Sequence, residues 1–193
     1  MNLKQLTEKC RSYRRFHENK KIDKQTLVEL VDLARLSATA ANMQPLKFML
    51  SYVPRTNELI FPSLAWAGYL KNWPGPKEGE RPSAYIVILH DTQITDKCFD
   101  YDCAIAAHSI LLGAAEKGLG GCMIAAFKKD ALKLNLRIQD RYKILLVVAL
   151  GKSREQVVIE TVKDNNIEYY RDNKDIHHVP KRKISEVIID NTN

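Results

Sequence analysis

The chain has no apolar run near the roughly 20 residues that a membrane-spanning helix needs, and its first residues, "MNLKQLTEKC", contain no apolar signal-peptide core. Both absences argue against a membrane protein and place the expected location in the cytoplasm. Cysteine is scarce. Cys10, Cys98, Cys103 and Cys122 form no CxxC pair and no disulfide framework, so they read as free, mostly structural thiols in a reducing compartment. The five histidines, His17, His90, His108, His177 and His178, lack the spacing of a zinc site, and the pair His177-His178 reads as a loop feature. There is no GxGxxG after a first strand and no GxxxxGK[ST], which removes the usual dinucleotide fingerprint and the phosphate loop of nucleotide hydrolases. Repeats and low-complexity segments are absent as well.

What is present is an ordinary globular composition with an excess of positive charge. The 193 residues are 45% hydrophobic and 27% charged, enough for one domain with its own core. The net charge of +7 favours an anionic partner, and nucleic acid, a membrane surface and a phosphorylated cofactor all qualify. Its distribution is informative. Lys9, Arg11, Arg14, Arg15, Lys20, Lys21 and Lys24 crowd one end against Glu18 and Asp23, and Lys181, Arg182 and Lys183 crowd the other.

Helical spacing predicts a short helix over 2–10 and a longer one over 24–37, with Asp23 as its N-cap and Leu27, Leu30, Val31 and Ala34 inward. "SATAANMQP" is a loop, since Pro45 discourages helix at Gln44. "LKFMLSYV" and "AYIVILH" read as strands. The proline- and tryptophan-bearing stretch between them reads as helix in its first half and exposed loop in its second. A nearly all-apolar helix over 98–117, stopped by Gly118, is expected to be central. Then come "GGCMIAAF" as a strand or extended loop, a short helix over 130–136, and "YKILLVVALG" as the most hydrophobic strand. From Gly151 on the chain is polar, with weak β-like runs "QVVIETV" and "IEYY" and a last helix from 184. Such a tail is expected to be loose or to wrap a partner. "GLGG" at 118–121 follows a helix and reads first as a helix-stop turn. Alternation of helices and strands alone suggests an α/β fold.

Three ordered stretches together resemble the FMN-dependent nitroreductase family: "RSYRRF", "SATAANMQPLKF", and "EKGLGGCMIAAF" followed by a strand ending "VALG". A terminal "PKRKISEVI" falls where that family has a basic phosphate contact. The resemblance implies a single α+β domain over 1–193 with a mixed sheet flanked by helices. It also implies a homodimer with FMN at the interface, and an extended segment, 151–193, embracing the partner. NAD(P)H would give hydride to flavin N5, and a nitroaromatic, quinone or similar acceptor would then take the electrons. No general acid or base is required of the protein, because the cofactor carries the reaction.

By that resemblance Arg11, Ser12 and Arg14 contact the FMN phosphate, Tyr13 adds backbone, Arg15 points elsewhere, and Lys181 and Arg182 reach the same phosphate. A guanidinium offers a planar fork of donors suited to such a group. Thr39, Ala40 and Asn42 would line the ring and ribityl chain, supported by Gln44, while Cys122, Met123 and Ile124 run past the isoalloxazine edge. Cys122 is more simply a small buried residue than a redox thiol. Trp66, Tyr69 and Trp73 are a candidate wall over the acceptor site. The chain departs from the family at Cys10-Arg11, where many relatives have paired arginines, and at Ala38-Thr39, where Pro-Ser is common. It departs again at Ala125-Ala126, where others carry Glu-Gly, an acidic side chain near the ring. The alternatives are a relative of the same fold with other chemistry, such as reductive dehalogenation or flavin destruction, or a basic nucleic-acid-binding module.

Overall fold

A computed structural model describes residues 1–189. Asn2 and Gln5 cap one another at the start of α1 (Leu3–Lys9). Asp23 caps α2 (Lys24–Leu36) by accepting from the Thr26 N–H at 2.6 Å, and Leu27, Leu30 and Ala34 are its buried stripe, with Val31 half-buried beside them. β1 (Leu46–Ser51) is followed by α3 (Pro54–Ile60), which begins at a proline whose fixed φ suits a first helical position. The helix expected farther on is therefore earlier. Pro62 allows only a 3₁₀ turn over Phe61–Ser63, and the strand reading of "LKFMLSYV" ends short, at Ser51.

β2 (Ala84–Asp91) is buried along its whole length, and α4 (Phe99–Glu116) is central as expected. Gly113 explains how α2 reaches α4: a Cβ there would stand 2.3 Å from Leu33 Cδ1. Gly118, at φ +68°, ends the helix as a left-handed cap. β3 (Gly120–Ile124), α5 (Lys129–Asn135) and β4 (Tyr142–Gly151) complete the body.

The four strands lie in the order β1-β2-β4-β3, and every neighbouring pair is antiparallel. The architecture is α+β, and the α/β reading from alternation alone is corrected. Chain order alternates, but the connections return each strand beside an opposed neighbour. Strand periodicity divides the core into two layers. Ile86, Ile88, Val148 and Leu150 meet α2 and α4 on one face; Tyr85, Val87, Val147 and Ala149 meet Ile60 and Leu132 on the other.

The segment after Gly151 folds back on its own chain. β5 (Val157–Thr161) pairs parallel with β7 (His177–Lys181), and β6 (Tyr170–Arg171) pairs antiparallel with β7. "QVVIETV" is thus a strand, while "IEYY" contributes only Tyr170. His177 and His178 belong to β7 and not to a loop. Pro180 hid that strand, but β6 reaches only His177 and His178, so the missing proline N–H lies on an open edge. The last helix expected from 184 is a 3₁₀ turn over Ile184–Glu186. Among the described residues no helix is long and apolar enough to cross a membrane.

Candidate functional site

The "RSYRRF" segment is stitched between β3 and the end of β4. Ser12 bridges Gly121 in parallel, and the Tyr13 N–H donates to the Gly121 carbonyl at 3.0 Å. This approach needs glycine: a Cβ on Gly120 would stand 2.7 Å from the Tyr13 ring, and one on Gly121 2.5 Å from the Ala149 carbonyl oxygen. Phe16 is wholly buried against Gly151, where a Cβ would meet its ring at 2.7 Å. The Glu155 carboxylate then fixes the loop between these anchors. It accepts from the backbone N–H groups of Arg14 and Arg15 and from Arg171 Nη2 at 2.5 Å, and its side chain is 1% exposed.

This scaffold brings Arg11, Ser12, Arg14, Met123 and Lys181 to one cavity of about 350 Å³, which His108, Tyr169 and His177 also line. Among the described residues no carboxylate lines it. Arg14 stacks on Tyr169, its guanidinium carbon 4.7 Å from the ring centre. Arg14 Nη1 donates to His177 Nε2 at 3.3 Å. Burial and the Arg14 charge hold the His177 pKa down at about 4, so this imidazole is neutral at pH 7. Arg11 donates through Nη2 to the Thr7 carbonyl at 2.8 Å, while its Nε is buried without a partner among the described residues.

A second cavity, of about 240 Å³, continues along β3 and shares Arg14, Met123 and Tyr169 with the first. Cys122, Met123, Ile124, Ala125 and Ala126 form one wall and Trp66 faces it. The Ala65 N–H donates to the Ala126 carbonyl at 2.9 Å, fastening that wall to the strand. Gly75, at φ +118°, seats Trp66, since a Cβ would stand 2.5 Å from Trp66 Cδ1. Trp73 and Tyr69 do not line the cavity. They back it, Trp73 edge-on to Trp66 and Tyr69 edge-on to Tyr169. Burial pushes the Cys122 thiol up to about 12, as for an inert core thiol.

The other expected site residues lie apart. Tyr13 lines neither cavity, and its N–H is already used by Gly121. Arg182 donates to Asn165 Oδ1 at 3.2 Å; Arg15, expected to point elsewhere, is paired with Asp175 at 2.5 Å. Thr39, Ala40, Asn42 and Gln44 sit at the start of α4, where the Ala40 N–H donates to Asp102 Oδ1 at 2.9 Å. His108 and Leu111, at the first cavity, are about 9–14 Å farther along that helix. Ala41, Asn42 and Gln44 all have positive φ, between 47° and 54°, and the Thr39 hydroxyl and Asp102 Oδ2 are buried without partners among the described residues. Such clustered strain is typical of a ligand-facing segment.

Sequence reasoning missed Glu155, Tyr169 and His177. Alternation could have found the last: in a strand ending at Lys181, His177, Val179 and Lys181 share a face, and all three line the cavity.

An antiparallel sheet clasped by a central helix, with a cationic cavity opening onto a small-residue strand, is the nitroreductase-like α+β class. The chain belongs to the nitroreductase family, whose model matches residues 8–152. It is 24% identical over 173 residues to YodC of Bacillus subtilis, an NAD(P)H nitroreductase by name, covering 74% of this chain and 85% of that one. Among solved structures, a nitroreductase family protein from Clostridium difficile 630 superposes with a TM-score of 0.70 at 18% identity, both chains covered fully. One from Streptococcus pneumoniae gives 0.69 at 16%, with 98% of this chain and all of that one covered. An FMN-dependent nitroreductase from Clostridium difficile R20291 gives 0.60 at 21%, covering 83% and 91%.

Proposed function

We propose that the chain is an FMN-dependent NAD(P)H oxidoreductase of the nitroreductase type, acting as a homodimer on a nitroaromatic, quinone or similar acceptor. The observation that carries this reading is the convergence of Arg11, Arg14 and Lys181 on a cavity that no carboxylate of the described residues lines, opening through Arg14, Met123 and Tyr169 onto the slot beside β3. The donor set suits a phosphoester, and the buried Arg11 Nε has a hydrogen bond still to make.

In this reading Arg11, Ser12, Arg14 and Lys181 hold the phosphate, and Cys122, Met123 and Ile124 run along the isoalloxazine edge. Bound FMN supplies the hydride-accepting chemistry; the protein supplies placement and electrostatics. Arg14 belongs to both cavities and so places positive potential between phosphate and ring. Trp66 closes the slot against water. Thr39, Ala40, Asn42 and Gln44, remote from the cavity in one chain, reach the ring of the other protomer's cofactor. Tyr101 and Ile105, exposed on α4, fit an interface there.

The test is an absorbance scan of purified protein, followed by NADH and NADPH oxidation with nitrofurazone and menadione. The expected result is a yellow protein, or a colourless one that takes up FMN stoichiometrically, with acceptor-dependent turnover. Failure to bind FMN overturns the reading. Flavin binding without turnover of either acceptor would point to other chemistry on the same fold, while colourless protein with steeply salt-dependent nucleic-acid affinity would favour the binding module.

A further inference from the structure

His177 is 1% exposed, and its position fixes its proton. A guanidinium has only donors, so Nε2 of His177, 3.3 Å from Arg14 Nη1, must be the acceptor of that contact. A neutral imidazole has one N–H. It is therefore on Nδ1, and Nδ1 is buried with no partner among the described residues. A buried donor without an acceptor is uncommon in a folded protein and points to a missing ligand. Burial and the Arg14 charge keep the ring neutral, with a pKa near 4, so the tautomer persists across the working pH range.

We propose that His177 is a ligand of the bound phosphoester, donating its Nδ1–H to a phosphate oxygen while Nε2 holds Arg14 in place. The proposal rests on the FMN reading above. β7 presents His177, Val179 and Lys181 on one face toward the cavity, so a neutral donor and a cation come from the same strand. The charged groups around the ring are Arg14 from the N-terminal loop, Glu155 after β4, Arg171 on β6 and His178 beside it, with the Tyr169 ring 5.3 Å away. Glu155 accepts from Arg171 and two backbone N–H groups and makes no hydrogen bond with Nδ1. The acceptor that fits is an anion rich in acceptor oxygens.

The experiment follows the imidazole ¹⁵N and ¹H resonances of wild-type protein at pH 7.5 during titration with FMN, riboflavin and inorganic phosphate. FMN and phosphate are expected to shift the His177 Nδ1–H signal, and riboflavin to leave it. In parallel, dissociation constants come from flavin fluorescence. His177→Phe is expected to weaken FMN binding about tenfold or more without changing riboflavin binding, and His177→Asn, whose amide can donate from nearly the same place, to recover part of the loss. An Nδ1–H signal that ignores both FMN and phosphate overturns the proposal even if the variants fail to fold. So does a folded His177→Phe that binds FMN as well as wild type, or that loses FMN and riboflavin equally. If phosphate shifts His177 and FMN does not bind, the flavin reading fails while the phosphate ligand stands.

Discussion

Arg14 and Arg15 are neighbours in the chain and serve opposite ends. Arg15 opens onto a cavity of about 400 Å³ that also holds Lys77, Arg154 and Lys174, yet Asp175 and Glu80 line the same space. Arg15 is bound to Asp175 at 2.5 Å and lies 3.7 Å from Glu155; Arg154 lies 3.7 Å from Glu80. The two arginines of that basic cluster are paired with acids of their own chain. Arg14, turned the other way, shares its cavity with Arg11 and Lys181 and, among the described residues, with no carboxylate. A local excess of arginine therefore does not identify an anion site. Cations whose acids are elsewhere do.

Glu155 enforces the difference, so removing it is the most severe way to break the comparison. Its buried carboxylate serves Arg14 N–H, Arg15 N–H and Arg171 together. Glu155→Ala would leave those donors and a buried guanidinium unmatched, and about 3–5 kcal/mol of stability should be lost in urea denaturation. A loss below about 1 kcal/mol would mean that Glu155 does not hold the loop. Next in size, Arg14→Ala should weaken FMN binding roughly ten- to a hundredfold, the worth of a charge-assisted contact. Arg15→Ala should change FMN affinity less than about threefold and lower stability by about 1 kcal/mol instead. Equal effects on FMN would erase the distinction between the two arginines.

Acid should act on the Arg14 cavity through His177 before it reaches the paired carboxylates. The folded His177 titrates near 4 instead of its ordinary 6.5, so between those values the unfolded chain binds the extra proton. Stability should be full above pH 6.5 and fall as pH drops toward 4, by about 3 kcal/mol at most. Carboxylates held low, such as Asp91 paired with Arg141 and Asp172 accepting from Ile176 N–H, lose their contribution only at lower pH. Guanidinium melts of wild type and His177→Phe across pH 4–7 check this. Identical pH slopes in that window would place the titration elsewhere.

The body of the fold was legible because its signals are local. The cap of α2, the apolar periodicity of α4, and the runs forming β2 and β4 each declare an element within a dozen residues. Antiparallel order was not legible from alternation, since strand direction depends on how a connection returns. The site divides the same way. Arg11, Ser12, Arg14, Met123 and Lys181 lie in motifs that sequence singled out and line one cavity, whereas Glu155, Tyr169 and His177 are brought in by a tail whose strands are short and interrupted by proline. Their role depends on contacts spanning up to 163 residues of chain, which no local pattern records.

Lys181 and Arg182 give the mildest and sharpest form of the comparison, two adjacent cations at the end of one strand. Side chains alternate along β7, so His177, Val179 and Lys181 face the cavity, while His178 turns to Glu160 and Asp172 at 3.2 and 3.3 Å. Arg182, one step past Lys181, falls on the other side and meets Asn165 in an exposed contact. Lys181→Ala should therefore weaken FMN binding several-fold, with less salt dependence left in what remains, because one cation has been taken from the phosphate site. Arg182→Ala should stay within about twofold of wild type, since exposed polar and ionic contacts contribute little. Fluorescence titrations at two ionic strengths decide it. If Arg182→Ala is the more damaging of the two, β7 presents its opposite face to the ligand, and His177 leaves the site along with Lys181.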